Sequence, residues 1–168
     1  MRTHPEFVFE PEPYSVLVED YGEEFSSEPT VDDFYRQLEF NVERLRFHKD
    51  DGMVIYERCP VDFLAYILAL KDLNREEIDS AFVEQIVARV LDATQHLDLI
   101  VFLPLDEANK HELPDAEEPR LQRAVDSLLV DIFCGDEFGI VRAGGVAVLK
   151  ASGPTLQRLR VLEDAGGL

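Results

Sequence analysis

The strongest constraint on this chain is a change of hydrophobic period along it. Met53–Tyr56 and Leu99–Leu103 are short, unbroken apolar runs, and Val146–Leu149 follows the pair Gly144-Gly145 in the same way. Runs of this length and character mark strands buried on both faces. Between them the apolar residues recur three and four apart, the helical period. Val31, Phe34, Tyr35, Leu38, Val42 and Leu45 form one such stripe. Phe63, Leu64, Ile67, Leu68 and Leu70 form a second, and Ile78, Phe82, Ile86, Val87 and Val90 a third. Strands alternating with helices at these lengths predict an α/β fold with a parallel sheet.

The punctuation agrees with that alternation. Phe7–Phe9 reads as a short strand entering a Pro-rich turn, and the acidic stretch 19–30 reads as surface loop. Thr30 and Asp33 have the spacing of a capping box, opening a helix that ends near His48 before the turn signal Asp50-Asp51-Gly52. Pro60 suits the first turn of a helix running to about Asp72. A helix over about 75–95 follows, then the strand at 99–103, stopped by Pro104. A loop covers 104–115, and a helix spans about 117–133. Ser152 and Pro154 open a last helix with Leu156, Leu159 and Leu162 on one face. No repeat, low-complexity tract or linker divides residues 1–168, so one domain is expected.

Charge narrows the function classes. The formal net charge is −19. Such a field repels phosphate backbones and anionic lipid, which argues against nucleic-acid and membrane-surface partners. It opposes an anionic nucleotide as well, unless local cations and a metal offset it. Solubility alone also explains it. Cys59 and Cys134 make no disulfide framework and no zinc spacing. Cys59, beside Pro60 at a helix start, is either a favoured thiolate or a plain small residue at a turn. The N-terminus has no apolar leader and no run approaches the ~18 residues of a spanning helix, so a cytoplasmic protein is expected.

In parallel α/β sheets ligands bind beyond the carboxyl ends of the strands. The first strand delivers Glu10 and Glu12 there, the second delivers Glu57 and Arg58, and the third leads into the 104–115 loop. A carboxylate and a Glu-Arg pair are the groups that phosphoryl transfer to a hydroxyl requires. One carboxylate takes the proton, one helps hold magnesium, and the arginine offsets developing charge. The bland readings are solvated charge for Glu12 and a structural ion pair for Glu57-Arg58. Asp62 reads as an early-helix acid favoured by the dipole. The four histidines are scattered, and there is no Gly-x-Ser-x-Gly element.

Pro11-Glu12-Pro13-Tyr14 and Glu57-Arg58-Cys59 resemble the "PEP" and "ERS" motifs of P-loop nucleoside kinases, with Cys59 in place of the serine. The run Glu57-Arg58-Cys59-Pro60-Val61-Asp62-Phe63-Leu64-Ala65-Tyr66 is also similar to AAA-type P-loop ATPase/kinase domains akin to nicotinamide riboside kinases. The resemblance implies a three-layer parallel sheet with helices on both faces. It implies Glu12 as base on the acceptor hydroxyl, Glu57 near magnesium, and Arg58 on the acceptor or phosphoryl charge. Arg120 and Arg123, one helical turn apart, would be lid arginines, although exposed helix charge is the simpler reading of both. The implied ligands are ATP, Mg²⁺ and a small nucleoside-like hydroxyl acceptor.

One family element is missing. The sequence G-x-x-x-x-G-K-[ST] occurs nowhere in the 168 residues, and with it goes the central strand that the family places between those at 53–56 and 99–103. Those two strands must then either pair directly or leave unpaired edges. A late-assigned start, a natural remnant, or a partner that supplies the strand would each account for the gap, and the first is the expectation. The chain alone is expected to be an inactive kinase-like domain. The rival expectation is a non-catalytic acidic interaction domain that accepts a partner strand.

Overall fold

The computed structural model describes residues 7–48, 53–105 and 118–165. Its centre is a helix rather than a sheet. Helix α3 (Pro60–Asp72) buries Pro60, Val61 and every residue from Phe63 to Leu70. A helix apolar on all sides must be covered on all sides, and three longer amphipathic helices do this. Helix α2 (Val31–Phe47) presents Phe34, Leu38, Val42 and Leu45. Helix α4 (Ser80–Thr94) presents Ile86, Val90 and Ala93. Helix α5 (Pro119–Gly135) presents Leu121, Val125, Leu129 and Ile132. Phe34 stacks on Tyr66 with ring centroids 4.5 Å apart, locking α2 to α3. On the outside of this bundle, Arg89 of α4 holds Glu39 of α2 through two charge-assisted bonds of 2.9 and 2.6 Å.

The strands are short and form two separate pairs. Strand β1 (Phe7–Glu10) lies parallel to β2 (Met53–Tyr56), with Phe7 opposite Met53 and Glu10 opposite Tyr56. Strand β3 (Leu99–Phe102) lies parallel to β4 (Ala147–Lys150), with Leu99 opposite Ala147. Among the described residues β2 pairs with β1 alone and β3 with β4 alone. This overturns the three-layer parallel sheet expected from the sequence. Strands must approach to about 4.8 Å to share hydrogen bonds, whereas here β2 and β3 belong to separate sheets and both line one cleft. The burial follows suit: Met53 is 45% exposed and Ile55 41%, where strands covered on both faces were expected.

Smaller differences are local. A seven-residue helix α1 (Pro13–Glu19) follows the Pro-rich turn, with Pro13 in its first turn. The helix expected over 75–95 starts only at Ser80, because the Asp79 carboxylate caps it by accepting the Phe82 N–H at 2.8 Å. A 3₁₀ turn (Glu137–Gly139), a short helix α6 (Ile140–Gly144) and the final helix α7 (Thr155–Asp164) complete the order. No residue of α7 is buried. The turn at 50–52 and most of the 104–115 loop lie outside the described residues. Among the described residues no helix is long and apolar enough to cross a membrane.

The capping box at α2 is present. Thr30 Oγ1 accepts the Asp33 N–H at 3.2 Å, and Asp33 Oδ2 accepts the Thr30 N–H at 3.0 Å. Burial pushes the Asp33 carboxyl up, but the bonds from Thr30, Arg36 and Ser26 outweigh it and hold the group below its ordinary 3.8. The ionised form therefore stabilises the fold fully above that ordinary value. The contribution is lost as pH falls through the lowered pKa. Urea midpoints measured from pH 5 downward are expected to fall less steeply in Asp33→Asn than in the parent. At neutral pH, Leu64→Ala in the bundle centre should cost about 2–5 kcal/mol in the same titration.

Candidate functional site

The site is built where β1 and β2 end side by side. Pro13 keeps Glu12 out of the helical region, at φ −58° and ψ 142°. The backbone N–H of Glu12 is thereby free to donate to Glu57 Oε2 at 3.1 Å. The Glu57 N–H in turn donates to the Glu10 carbonyl at 3.0 Å, extending the β1–β2 ladder by one bond. Two consecutive strand ends are thus tied by one side chain and one backbone bond. Glu12 Oε1 also accepts from the Ser15 hydroxyl at 3.3 Å.

Arg58 lies between two carboxylates. Its Nε is 3.6 Å from Glu12 Oε2, and its Nη1 is 3.5 Å from Asp62 Oδ1. Both separations exceed a normal N–H···O bond, so these are ion pairs without a locked hydrogen-bond geometry. The side chains are partly solvated, at 34% for Arg58 and 32% for Glu12. Asp62 is fixed from its other oxygen, which accepts the Cys59 N–H at 2.9 Å. Two carboxylates (Glu12, Asp62) thus flank one guanidinium, and with Glu57 on the Glu12 amide the cluster keeps a negative balance. Its chemistry is that of a proton acceptor next to a positive charge.

A second tier holds these groups in place. Asn41 is fully buried in the apolar stripe of α2, and its Nδ2 donates to the Arg58 carbonyl at 3.0 Å. Arg44, only 10% exposed at its side chain, reaches Glu10 Oε2 at 3.1 Å and the Pro11 carbonyl at 2.7 Å. His48 Nε2 lies 3.2 Å from the other Glu10 oxygen. Burial pulls the Arg44 pKa down, against the pull of Glu10 and Tyr56 in the other direction. Glu10, Arg44 and His48 therefore pin the Pro-rich turn that carries Glu12 onto α2. The sequence held one signal for this tier: Asn41 interrupts the 38–42–45 apolar face where a core residue belongs.

The structure brings Glu12, Glu57 and Arg58 together and adds Asp62 to them. Arg120 and Arg123 stand elsewhere, on the exposed side of α5, and do not line the cleft beside the cluster. No three His, Cys, Asp or Glu side chains among the described residues converge closely enough to hold a metal unaided. Among the described residues Glu57 therefore lacks the companions to hold a cation unaided. The Cys59 thiol is not a favoured thiolate. Desolvation, then the Asp62 carboxylate, push its pKa well above 9.0.

The cluster borders a cleft of about 800 Å³. Residues 54–58, at β2 and its end, and 98–103, at β3, line it, with Tyr66, Val125 and Leu129 from α3 and α5 and Leu159 and Leu162 from α7. No family model, curated protein or solved structure matches the chain.

Cys134 is exposed and Cys59 half-buried. At neutral pH a disulfide reagent is expected to modify one thiol quickly and the second only on unfolding. Cys134→Ser should abolish the fast phase, and a fast phase surviving that change would contradict the Cys59 environment described above.

Proposed function

We propose that the chain is the acceptor side of a phosphotransferase resembling P-loop nucleoside kinases, inactive by itself. The supporting observation is the convergence of Glu12, Glu57 and Arg58 at two adjacent strand ends. In this reading Glu12, held at the edge of the turn, takes the proton of a small hydroxyl acceptor. Arg58, placed between Glu12 and Asp62, offsets charge that develops on the transferred group. Glu57 would supply one carboxylate oxygen to a magnesium ion, which would offset phosphoryl charge.

The residues in hand do not fit a triphosphate. The chain has no G-x-x-x-x-G-K-[ST] segment, and a field of −19 opposes an uncradled polyanion. The chain alone is therefore expected to bind Mg²⁺-ATP weakly or not at all and to show no turnover. Joined to a strand followed by G-x-x-x-x-G-K-[ST], it should gain ATP hydrolysis or phosphoryl transfer. Glu12→Gln in that fusion should lower the rate on the order of 10²-fold. Nucleotide turnover by the chain alone would contradict this reading. So would a fusion that binds nucleotide but is indifferent to Glu12.

A further inference from the structure

We propose that the cleft between β2 and β3 is a slot for one β-strand of a partner polypeptide. That strand is an apolar run of about five residues with a basic residue at the end beside Glu57 and Asp62. The inference stands on backbone geometry and does not depend on the phosphotransfer reading.

The first observation is which residues line the cleft. A strand seen from its face contributes alternate residues, because successive side chains point to opposite sides. Here residues 54, 55 and 56 line it consecutively, and so do 99, 100, 101 and 102. Consecutive lining is what a strand gives when its hydrogen-bonding edge, rather than one face, borders a space.

The second observation identifies the groups on those edges. In a parallel strand the N–H and C=O of one residue point to the same neighbour, and the next residue points the other way. The Glu57 N–H bonds to Glu10, so Met53, Ile55 and Glu57 address β1, and Val54 addresses the cleft. The Asp98 carbonyl accepts from Ala147 and the Phe102 carbonyl from Ala151, so Asp98, Ile100 and Phe102 address β4. Leu99 and Val101 address the cleft. Two peptide edges therefore face one space, and a single inserted strand would bond to both.

Size and chemistry select the occupant. A five-residue strand occupies a lane about 16 Å long, about 4.8 Å wide and about 10 Å deep between covering layers. That envelope is on the order of the 800 Å³ present. One side of the lane is apolar through Tyr66, Val125 and Leu129, and α7 adds Leu159 and Leu162. A strand apolar on both faces is what such a lane covers. Leu159 remains 45% exposed. At the end of β2 the lining carries Glu57, Arg58 and Asp62, which leaves one net negative charge, on a chain of net charge −19. A lysine or arginine at that end of the strand meets opposite charge.

The test uses a synthetic peptide: five consecutive Val and Ile residues, a tryptophan outside them and lysines at one end. The protein contains no tryptophan, so indole emission reports the peptide alone. Saturable one-to-one binding is expected, with backbone amides of Val54, Leu99 and Val101 exchanging at least about tenfold more slowly in the complex. Proline at the central peptide residue should weaken binding about tenfold or more. Exchanging the lysines for glutamates should weaken it too. Val101→Pro in the protein should also weaken it while sparing the β3–β4 pair, because the lost N–H faces the cleft. If that variant does not fold, the two altered peptides still decide.

No saturable binding would overturn the proposal. So would binding that leaves those three amides unprotected, or equal affinity for the proline peptide. Equal affinity for the glutamate peptide would overturn its charge component. A dimer of the chain that protects the same amides and resists the peptide would overturn the partner in favour of a second copy.

Discussion

Everything in this molecule is arranged around the need to cover α3. Its first ten residues are buried apart from Asp62, and a helix with no polar side has no stable position at a surface. The stripes of α2, α4 and α5 answer that need. The core so made contains only two residues of β3, Ile100 and Phe102, and none of the β1–β2 pair below the burial of the helices. The two strand pairs are consequently appendages of a helical centre. Their separation costs the core little, which is why a gap between them is compatible with a packed interior.

The carboxylate cluster takes its order from the same centre. Asp62 stands in the first turn of α3, and its bond to the Cys59 amide fixes the direction in which the chain leaves β2. Asn41, in the face of α2 that packs on α3, holds the carbonyl of Arg58. Arg44, one turn further on α2, holds the turn before Glu12. The partly solvated side chains of the cluster thus sit on backbone anchored by buried groups. Short-range precision comes from those anchors rather than from the ion pairs, which are long and screened.

Much of this was legible in the residues, and the losses have identifiable causes. The 34–38–42–45 stripe and the Thr30–Asp33 pair placed α2 almost to the residue, since capping and amphipathicity are local. Pro11-Glu12-Pro13 and Glu57-Arg58 marked two strand ends, and parallel pairing sets those carboxyl ends side by side. The single sheet failed for a non-local reason. Met53–Tyr56 and Leu99–Leu103 read as buried strands from composition, yet apolar character says nothing about which strand lies alongside. Asp62 reads from the sequence as a dipole residue, and it is one; its second role, facing Arg58, follows from an i,i+4 relation across the helix start. Asn41 carried a weak signal and Arg44 none, as polar residues within or beside an apolar face seldom disclose their partners.

The connectivity of the strand pairs bears on how the chain acquires its shape. Phe7 lies opposite Met53, and Leu99 opposite Ala147. Each ladder of four residues therefore joins segments more than forty positions apart, across helices that must already be in place. Loop closure over such distances is entropically unfavourable before any ladder bond repays it. The helices can form and collide early through near-neighbour contacts. The edges that border the cleft therefore belong to the part of the molecule whose closure costs the most chain entropy.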